Sequence, residues 1–285
     1  MLKICYAEEF DRDFIRWTKH LLGPFLSDGR IKVVQKWRRP DLMLASIWRP
    51  HRFPHQVPVV LVSNESWHLY PPQVPLNCYR AVLGIYPPPP CLWGDQASPK
   101  FPFISFPYEA VHFDVPLDRL LERRITRLGA AKRNFCCFVV SNTQGDLAGR
   151  RIELFGEVNE YRRVDSAGSV LNNTGYRAPR DAAFLDWIAQ YKFMISVENS
   201  NVPGYVTEKA LQASLAGTVP IYLGGGKELF NKEAIVDVSA SDYLSEIKRL
   251  DHDPIDYAHV QRRELYCAQP TLRQFEEAFA REFLH

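Results

Sequence analysis

Short apolar runs alternate with segments of helical periodicity along the first half of the chain. Between the first two runs, Phe10, Phe14, Trp17 and Leu21 follow one another at helical spacing, which predicts an amphipathic helix. Each apolar run is bounded by proline or polar residues, as is typical of buried parallel strands in an α/β sheet. We therefore predict strands at 2–7, 31–34, 42–47, 57–62, 80–85 and 101–106.

The second half repeats this alternation after a connecting segment, 117–133, that is predicted to be a helix. Further strands are predicted at 135–140, 193–197 and 219–223, and further helices at 150–161, 184–191 and 207–215. The tail, 271–285, carries Leu272, Phe275, Phe279 and Phe283 on one helical face. Strands and helices that alternate in both halves predict an α/β protein of two doubly wound units.

Polar or glycine-rich residues follow several of the predicted strands. In doubly wound folds, ligands bind beyond the carboxyl ends of the strands. A binding cleft between the two units is therefore predicted to be lined by the residues at these ends. They are Ser63, Asn64 and Glu65 in the first unit and Ser141, Asn142, Glu198, Asn199 and 224–226 in the second.

Composition and charge exclude several classes of protein. The formal net charge is +2, from 35 Lys and Arg against 33 Asp and Glu, which is too even to indicate nucleic acid as a partner. The six cysteines form no C-x-x-C pair, so neither a zinc site nor a disulfide framework is predicted. Without a signal-like or membrane-spanning apolar run, we expect a cytoplasmic protein with at most peripheral membrane contact.

The segment 191–226 carries the most chemical information. Its predicted strand delivers Glu198 and Asn199 to a loop, and Thr207 is then placed to cap the following helix. Lys209 lies in the first turn of that helix, where a lysine is electrostatically unfavourable. A bound diphosphate would explain this position, and the alternative interpretation is an ordinary surface charge.

This segment resembles the donor-binding signature of the α-1,3-fucosyltransferases, glycosyltransferase family 10. The similar stretch reads ENSNVPGYVTEKALQASLAGTVPIYLG, residues 198–224. Upstream, FCCFVVSN (135–142), DSAGSVLNNTGY (165–176) and FLDWIAQYKF (184–193) occur in the family's order, and 220–238 resembles its closing segment. The resemblance is close over about 134–240 and loose in the first half, where it is carried by the strand pattern and by NES at 64–66.

The resemblance implies a GT-B fold, in which two Rossmann-like doubly wound domains face each other across a cleft. Residues 1–130 would bind the acceptor, 131–265 would bind GDP-fucose, and a C-terminal helix in 266–285 would pack back on the domains. L-Fucose would move with inversion from GDP-fucose to a hydroxyl of an acceptor glycan, in α-1,3 linkage to a GlcNAc-type sugar. The alternatives are a GT-B transferase for another GDP-sugar and a homologue that binds sugar nucleotides without transfer.

The same resemblance implies roles for individual residues. Arg151 and Lys209 match the cations that hold the diphosphate, although Arg150 is adjacent to the first of them. Tyr205 and Glu208 match residues that contact the nucleotide-sugar. The remaining donor-site candidates are Ser141, Asn142, Glu198, Asn199, Val206 and Thr207.

No cofactor or metal is expected, because two cations can stabilise a leaving diphosphate by themselves. Asp251-His252-Asp253 forms a D-x-D motif, which lies late in the chain beside Pro254. We expect it to be a surface turn.

An inverting transfer also needs a general base on the face opposite the leaving group. Glu65 is the candidate, because it follows a predicted strand and lies in a short motif that resembles the family's acidic E-S motif. Ser63 stands where some bacterial relatives carry a further glutamate. The alternatives for the base are Asp95, Glu109 and Asp114, and Glu65 would then serve only to cap or pair in its loop.

Overall fold

The computed structural model describes residues 1–7, 12–46, 57–63, 79–85, 101–108, 111–113, 117–128, 134–180 and 182–284. Contacts divide the chain into two compact units. Unit 1 comprises Met1–Asp114 together with Pro270–His285, and unit 2 comprises Val115–Gln269. The domain limits expected from the sequence, at 130 and 265, stay predictions.

Unit 1 contains a six-stranded sheet in which all neighbouring strands are parallel. Its strands follow the order β2-β1-β3-β4-β5-β6. Each strand lies within or beside one of the predicted apolar runs. The strands are β1 (Leu2–Tyr6), β2 (Ile31–Val33), β3 (Leu42–Ser46), β4 (Val59–Ser63), β5 (Ala81–Gly84) and β6 (Phe103–Ser105).

Unit 2 contains a five-stranded parallel sheet in the order β11-β10-β9-β7-β8. Its strands are β7 (Asn134–Phe138), β8 (Val164–Ser166), β9 (Tyr191–Val197), β10 (Val219–Leu223) and β11 (Val236–Asp237). The sequence pattern did not indicate β8 and β11. The sequence of β8, VDS, contains a single apolar residue, and β11 has only two residues, so neither forms an apolar run of strand length. The two parallel sheets confirm the prediction of two α/β units.

Helices connect β1 to β2 and each successive pair of strands from β6 to β10. The described helices are α1 (Arg12–Leu21), α2 (Gly23–Ser27), α3 (Leu117–Leu128), α4 (Ala148–Tyr161), α5 (Ala182–Ile188), α6 (Lys209–Leu215), α7 (Tyr243–His252), α8 (Pro254–Arg262) and α9 (Arg273–Phe283). Within the ranges described above, no helix is long and apolar enough to cross a membrane.

The predicted tail helix is confirmed as α9, which belongs to unit 1. Phe275 and Phe279 are buried in the same core cluster as Phe25 and Phe106. The ring centroids of Phe25 and Phe279 are 5.2 Å apart, and those of Phe106 and Phe275 are 6.1 Å apart. The last helix therefore completes the core of the unit that contains the first strand.

The prediction of a helix over 184–191 extends too far. The helix α5 ends at Ile188, and Tyr191 is the first residue of β9. The Tyr191 ring is buried beside Trp187, and its hydroxyl donates to Asp165 Oδ2 at 3.1 Å. Apolar residues of helix and strand follow each other here without a break, so periodicity alone could not locate the boundary.

The expectation that Asp251-His252-Asp253 is a surface turn is wrong for Asp251. This residue lies in the last turn of α7, and its side chain is only 2% exposed. It accepts hydrogen bonds from Lys192 Nζ at 2.9 Å, Arg162 at 2.9 Å and Tyr161 Oη at 3.0 Å. Asp253 instead caps α8 through the backbone nitrogens two and three residues ahead. Both carboxylates thus have structural partners.

Candidate active site

A cavity of about 260 Å³ lies in unit 2 at the carboxyl ends of the adjacent strands β7 and β9. Helices α4 and α6 each contribute a cationic side chain to its wall. Of the residues predicted from the sequence, those that line the cavity are Ser141, Asn142, Arg151, Asn199, Glu208 and Lys209. The structure therefore brings together residues from four separate elements at the end of the sheet where a ligand was expected.

Arg151 bridges the ends of the two strands. Its side chain is 3% exposed and donates to the carbonyl of Asn142 at 3.1 Å, to the carbonyl of Val197 at 3.2 Å and to Asn199 Oδ1. Asn142 follows β7 and Val197 ends β9, so three acceptors fix the plane of the guanidinium.

The neighbouring arginine takes no part in this arrangement. Arg150 donates to Glu157 Oε1 at 2.8 Å and to Tyr243 Oη at 3.3 Å, and it does not line the cavity. Successive residues of a helix point about 100° apart, which separates the two side chains. Of the two candidates, Arg151 is the one at the cavity.

Lys209 supplies the second cation. Its Nζ donates to Thr207 Oγ1 at 2.7 Å and to Glu198 Oε2 at 3.2 Å, and it lies 3.8 Å from Glu208 Oε1. Burial lowers the pKa of Lys209, but the carboxylates of Glu198 and Glu208 outweigh both burial and the repulsion from Arg151. The pKa of Lys209 is consequently raised above its ordinary value, and the side chain is charged at neutral pH.

The expected cap by Thr207 is wrong. The helix α6 begins at Lys209, and Glu208 occupies the N-cap position without a side-chain cap bond. The Thr207 hydroxyl instead donates to Glu198 Oε2 at 2.6 Å and accepts from Lys209 Nζ at 2.7 Å. Both bonds involve a charged partner, and such bonds are stronger than a bond to a backbone N–H. Glu198 itself is fully buried and is not among the residues that line the cavity.

Tyr205 and Val206 are also buried and are not brought into the cavity wall. The glycine run after β10 explains how this segment packs. A side chain at Gly225 would overlap the carbonyl of Val202, and one at Gly226 would overlap the side chain of Val206. The absence of side chains in the run therefore lets the turn after β10 pack closely against Val202 and Val206.

Sequence reasoning missed several residues of the wall. Gln212 lies one helical turn after Glu208, and this spacing could have placed it on the same face. The apolar part of the wall is formed by Phe138, Val139, Val140, Phe184, Met194, Ile195 and Val197. Their side chains carried only a core signal in the sequence, because strand and helix residues that line a pocket have the same periodicity as those that fill a core.

The candidates for the general base lie outside the described residues. These are Glu65 and the alternatives Asp95, Glu109 and Asp114. Ser63, two positions before Glu65, is the buried last residue of β4. In the described part of the chain, no group of three or more His, Cys, Asp or Glu side chains is placed to hold a metal ion.

Comparison with known protein families shows to which family the chain belongs. The model of the C-terminal region of glycosyltransferase family 10 (fucosyltransferase) matches residues 129–274, which is just over half of the 285 residues. The chain belongs to glycosyltransferase family 10. The matched range contains all of β7–β11 and every residue that lines the cavity.

Curated family members match a stretch of similar length. The α-(1,3)-fucosyltransferase FucT of Helicobacter pylori is 34% identical over 133 residues, which is 46% of this chain and 26% of that protein. The α-(1,3)-fucosyltransferase 4 of Bos taurus is 32% identical over 137 residues, 45% of this chain and 33% of that protein. The match thus spans between a quarter and a third of the length of these relatives.

Solved structures extend the likeness to the fold of the whole chain. A crystal structure of an α1,3-fucosyltransferase with GDP-fucose aligns with a TM-score of 0.69 at 21% identity, covering 99% of this chain and 90% of that one. The fold is GT-B with two Rossmann-like α/β domains, which confirms the predicted fold class.

Proposed function

We propose that this chain transfers L-fucose from GDP-fucose to a hydroxyl of an acceptor glycan, with inversion of the anomeric carbon. The observation that carries the proposal is the cavity of unit 2, where Arg151 and Lys209 converge from α4 and α6 in a chain of family 10. A pocket with two fixed cations suits a sugar linked to a diphosphate.

The two cations act on the leaving group. As the bond between fucose and GDP breaks, negative charge develops on the β-phosphate, and fixed positive charges stabilise that transition state. Arg151 is already held by three acceptors and Lys209 by two, so neither has to reorganise during the reaction. The carboxylate of Glu208 lies in the same wall of the cavity. It can accept hydrogen bonds from the ribose hydroxyls of GDP or stabilise positive charge that develops on the sugar ring.

The proton of the acceptor hydroxyl needs a separate base. We assign this role to Glu65, which follows β4 in the sequence. In an inverting displacement, the nucleophile enters on the face of the sugar away from the leaving group. The base that activates the nucleophile must therefore be a different group from the cations that stabilise the leaving GDP.

The acceptor and the linkage are finer proposals. Both curated relatives described above are named for α-(1,3) transfer, which supports an α-1,3 linkage. We propose a GlcNAc-type sugar as the acceptor. A transferase for another GDP-sugar and a sugar-nucleotide-binding homologue without transfer are the alternatives. The cytoplasmic location, the absence of nucleic-acid partners and the merely peripheral membrane contact stay predictions.

A donor panel tests the proposal directly. Purified protein is incubated with GDP-fucose, GDP-mannose or UDP-glucose, each with and without an array of neutral glycans, and both released nucleotide and glycan product are measured. We expect glycan product with GDP-fucose alone. Product from a different GDP-sugar would establish the first alternative, and GDP-fucose binding without product on any glycan would favour the second.

A further inference from the structure

Glu198 is a fully buried carboxylate at the end of β9. Burial of a charge is costly unless the charge is paired and hydrogen-bonded. Here it accepts from Thr207 N at 2.8 Å, Thr207 Oγ1 at 2.6 Å and Lys209 Nζ at 3.2 Å. These three bonds all lead to the same short segment, at the point where α6 begins.

The contacts of Glu198 separate it from the ligand. Lys209 lines the cavity, whereas Glu198 does not. Any influence of Glu198 on a bound molecule must therefore pass through Thr207 and Lys209. We infer that Glu198 is a positioning residue whose buried carboxylate keeps the Lys209 ammonium charged and held at the cavity wall. This inference rests on the proposed function, in which that ammonium meets the diphosphate of the donor.

The other charges around Lys209 do not replace Glu198. Glu208 lies farther away, at 3.8 Å, and its side chain is 22% exposed, so water screens its charge more strongly. Arg151 opposes the positive charge of Lys209 from α4, and burial opposes it as well. Without Glu198, the pKa of Lys209 would be lowered by burial and by Arg151, with Glu208 alone against them.

The turn after β10 leaves room for this carboxylate. A Cβ atom at Gly224 would lie 2.7 Å from Glu198 Cγ and 2.5 Å from Tyr222 Oη. The backbone nitrogen of Glu198 also donates to the carbonyl of Leu223 at 2.9 Å. The carboxylate is thus confined between the end of β10 and the segment before α6, which orients it towards Lys209.

The first test follows Lys209 in the unliganded protein. The Nζ signal is observed by NMR with isotope-labelled lysine, assigned by its loss in Lys209→Arg, and titrated in wild type, Glu198→Gln and the matched control Glu160→Gln. Glu160 is an exposed glutamate of the same unit. In Glu198→Gln we expect the midpoint of the titration to lie about one to three pH units below that of wild type, and in Glu160→Gln we expect the wild-type midpoint. Equal titration in Glu198→Gln and Glu160→Gln would overturn the inference.

The second test separates charge control from a merely structural role. The Kd for GDP is measured from pH 7 to pH 10.5, the ordinary pKa of a lysine, and dividing each variant's value by that of wild type removes the titration of GDP itself. For Glu198→Gln this ratio should rise with pH, by up to about tenfold for each pH unit above the lowered pKa of Lys209. In Glu198→Gln combined with Lys209→Arg the ratio should be flat, because arginine stays charged.

The outcomes of the two tests are distinguishable. A ratio for Glu198→Gln that is raised but constant with pH would show a structural role and overturn the inference. Failure of wild type to bind GDP would instead contradict the proposed function, and the titration of Lys209 in the unliganded protein would still decide the role of Glu198.

Discussion

At the scale of single residues, the proposed chemistry depends on two cations that the chain itself holds in place. Lys209→Ala should lower kcat/KM with GDP-fucose by an amount that corresponds to about 2–4 kcal/mol of transition-state stabilisation, because one charge on the leaving group is lost. Lys232→Ala, which removes an exposed lysine of the same unit, is the matched control. Wild-type turnover in Lys209→Ala would remove this residue from the mechanism.

The adjacent arginines provide a sharper comparison. Arg151→Ala should lower transfer on the same scale as Lys209→Ala, whereas Arg150→Ala should stay within a few-fold of wild type. The reason is that Arg151 lines the cavity, while Arg150 is occupied by Glu157 and Tyr243. Both variants are compared by kcat/KM and by thermal unfolding. A larger loss of transfer in a folded Arg150→Ala would reverse the assignment.

Glu65→Gln tests the proposed base. The amide keeps the shape of the side chain but cannot accept the proton, so transfer should fall by about 10²–10⁴-fold. The Kd for GDP-fucose should stay near that of wild type, because the proposed donor site lies in unit 2. The test requires both the rate of transfer and the Kd for GDP-fucose. A large loss of donor affinity would indicate a structural role, and unchanged transfer would direct attention to Asp95, Glu109 and Asp114.

Metal independence is a further prediction at this scale. In the proposed mechanism, Arg151 and Lys209 supply the positive charge that a metal ion can supply to a leaving group. Transfer should therefore be unchanged by EDTA and should not rise when manganese is added. Activity that EDTA abolishes and manganese restores would contradict this. Asp251 would be a poor candidate ligand even then, since it is occupied by Lys192 and Arg162.

At the scale of elements, Asp251 joins α7 to α4 and β9 through its ion pairs. Burial raises the pKa of Asp251, but bonds from Lys192, Arg162 and Tyr161 lower it by more, so the net pKa is below the ordinary value. Its ionisation thus contributes stability above the unfolded pKa of about 3.9, and this contribution is lost as the pH falls through the folded pKa.

Asp251→Asn should therefore destabilise unit 2 at pH 7. Breaking a fully buried ion pair costs about 3–5 kcal/mol of unfolding free energy. For Asp251→Asn we expect a smaller loss, roughly 1–3 kcal/mol, because the partner side chains Lys192 and Arg162 are 25% and 53% exposed. Urea unfolding measures the difference, which should shrink at pH 3. Asp242→Asn, at the start of the same helix and without a side-chain cap bond, is the control. A difference that persists undiminished at pH 3 would argue against the ion pairs.

At the scale of the whole molecule, the last helix and the ligand cavity belong to different units. Phe279→Ala removes a fully buried ring from the core of unit 1 and should cost about 3–5 kcal/mol of stability there. Saturating GDP should still stabilise unit 2, by about 2.7 kcal/mol at a hundred times Kd.

Thermal unfolding with and without GDP measures both effects, and Arg281→Ala on the exposed side of the same helix is the control. Because the two sites lie in separate cores, the effects of Phe279→Ala and of GDP should add. Loss of the stabilisation by GDP in Phe279→Ala would show that the two units are coupled.

All described strands except β8 and β11 could be predicted from the sequence, together with helices α1, α3–α6 and α9, because the period of apolar positions depends only on neighbouring residues. The family could also be predicted from the sequence, since the segment from Glu198 to Gly224 that resembles it is continuous in the chain. Boundaries between elements, such as the start of β9 at Tyr191, were harder to predict from the sequence, because the helix before β9 is equally apolar.

The geometry of the site depends on contacts between distant parts of the chain, and only the tertiary structure decided it. Arg151 is selected over Arg150 by its bond to Val197, 46 residues away. Thr207 turns to Glu198 and not to its own helix, and Asp251 is buried by partners 59 and 89 residues distant. Local pattern determines which surface of an element is apolar, but the partners of a polar side chain are set by whichever elements the fold brings against it.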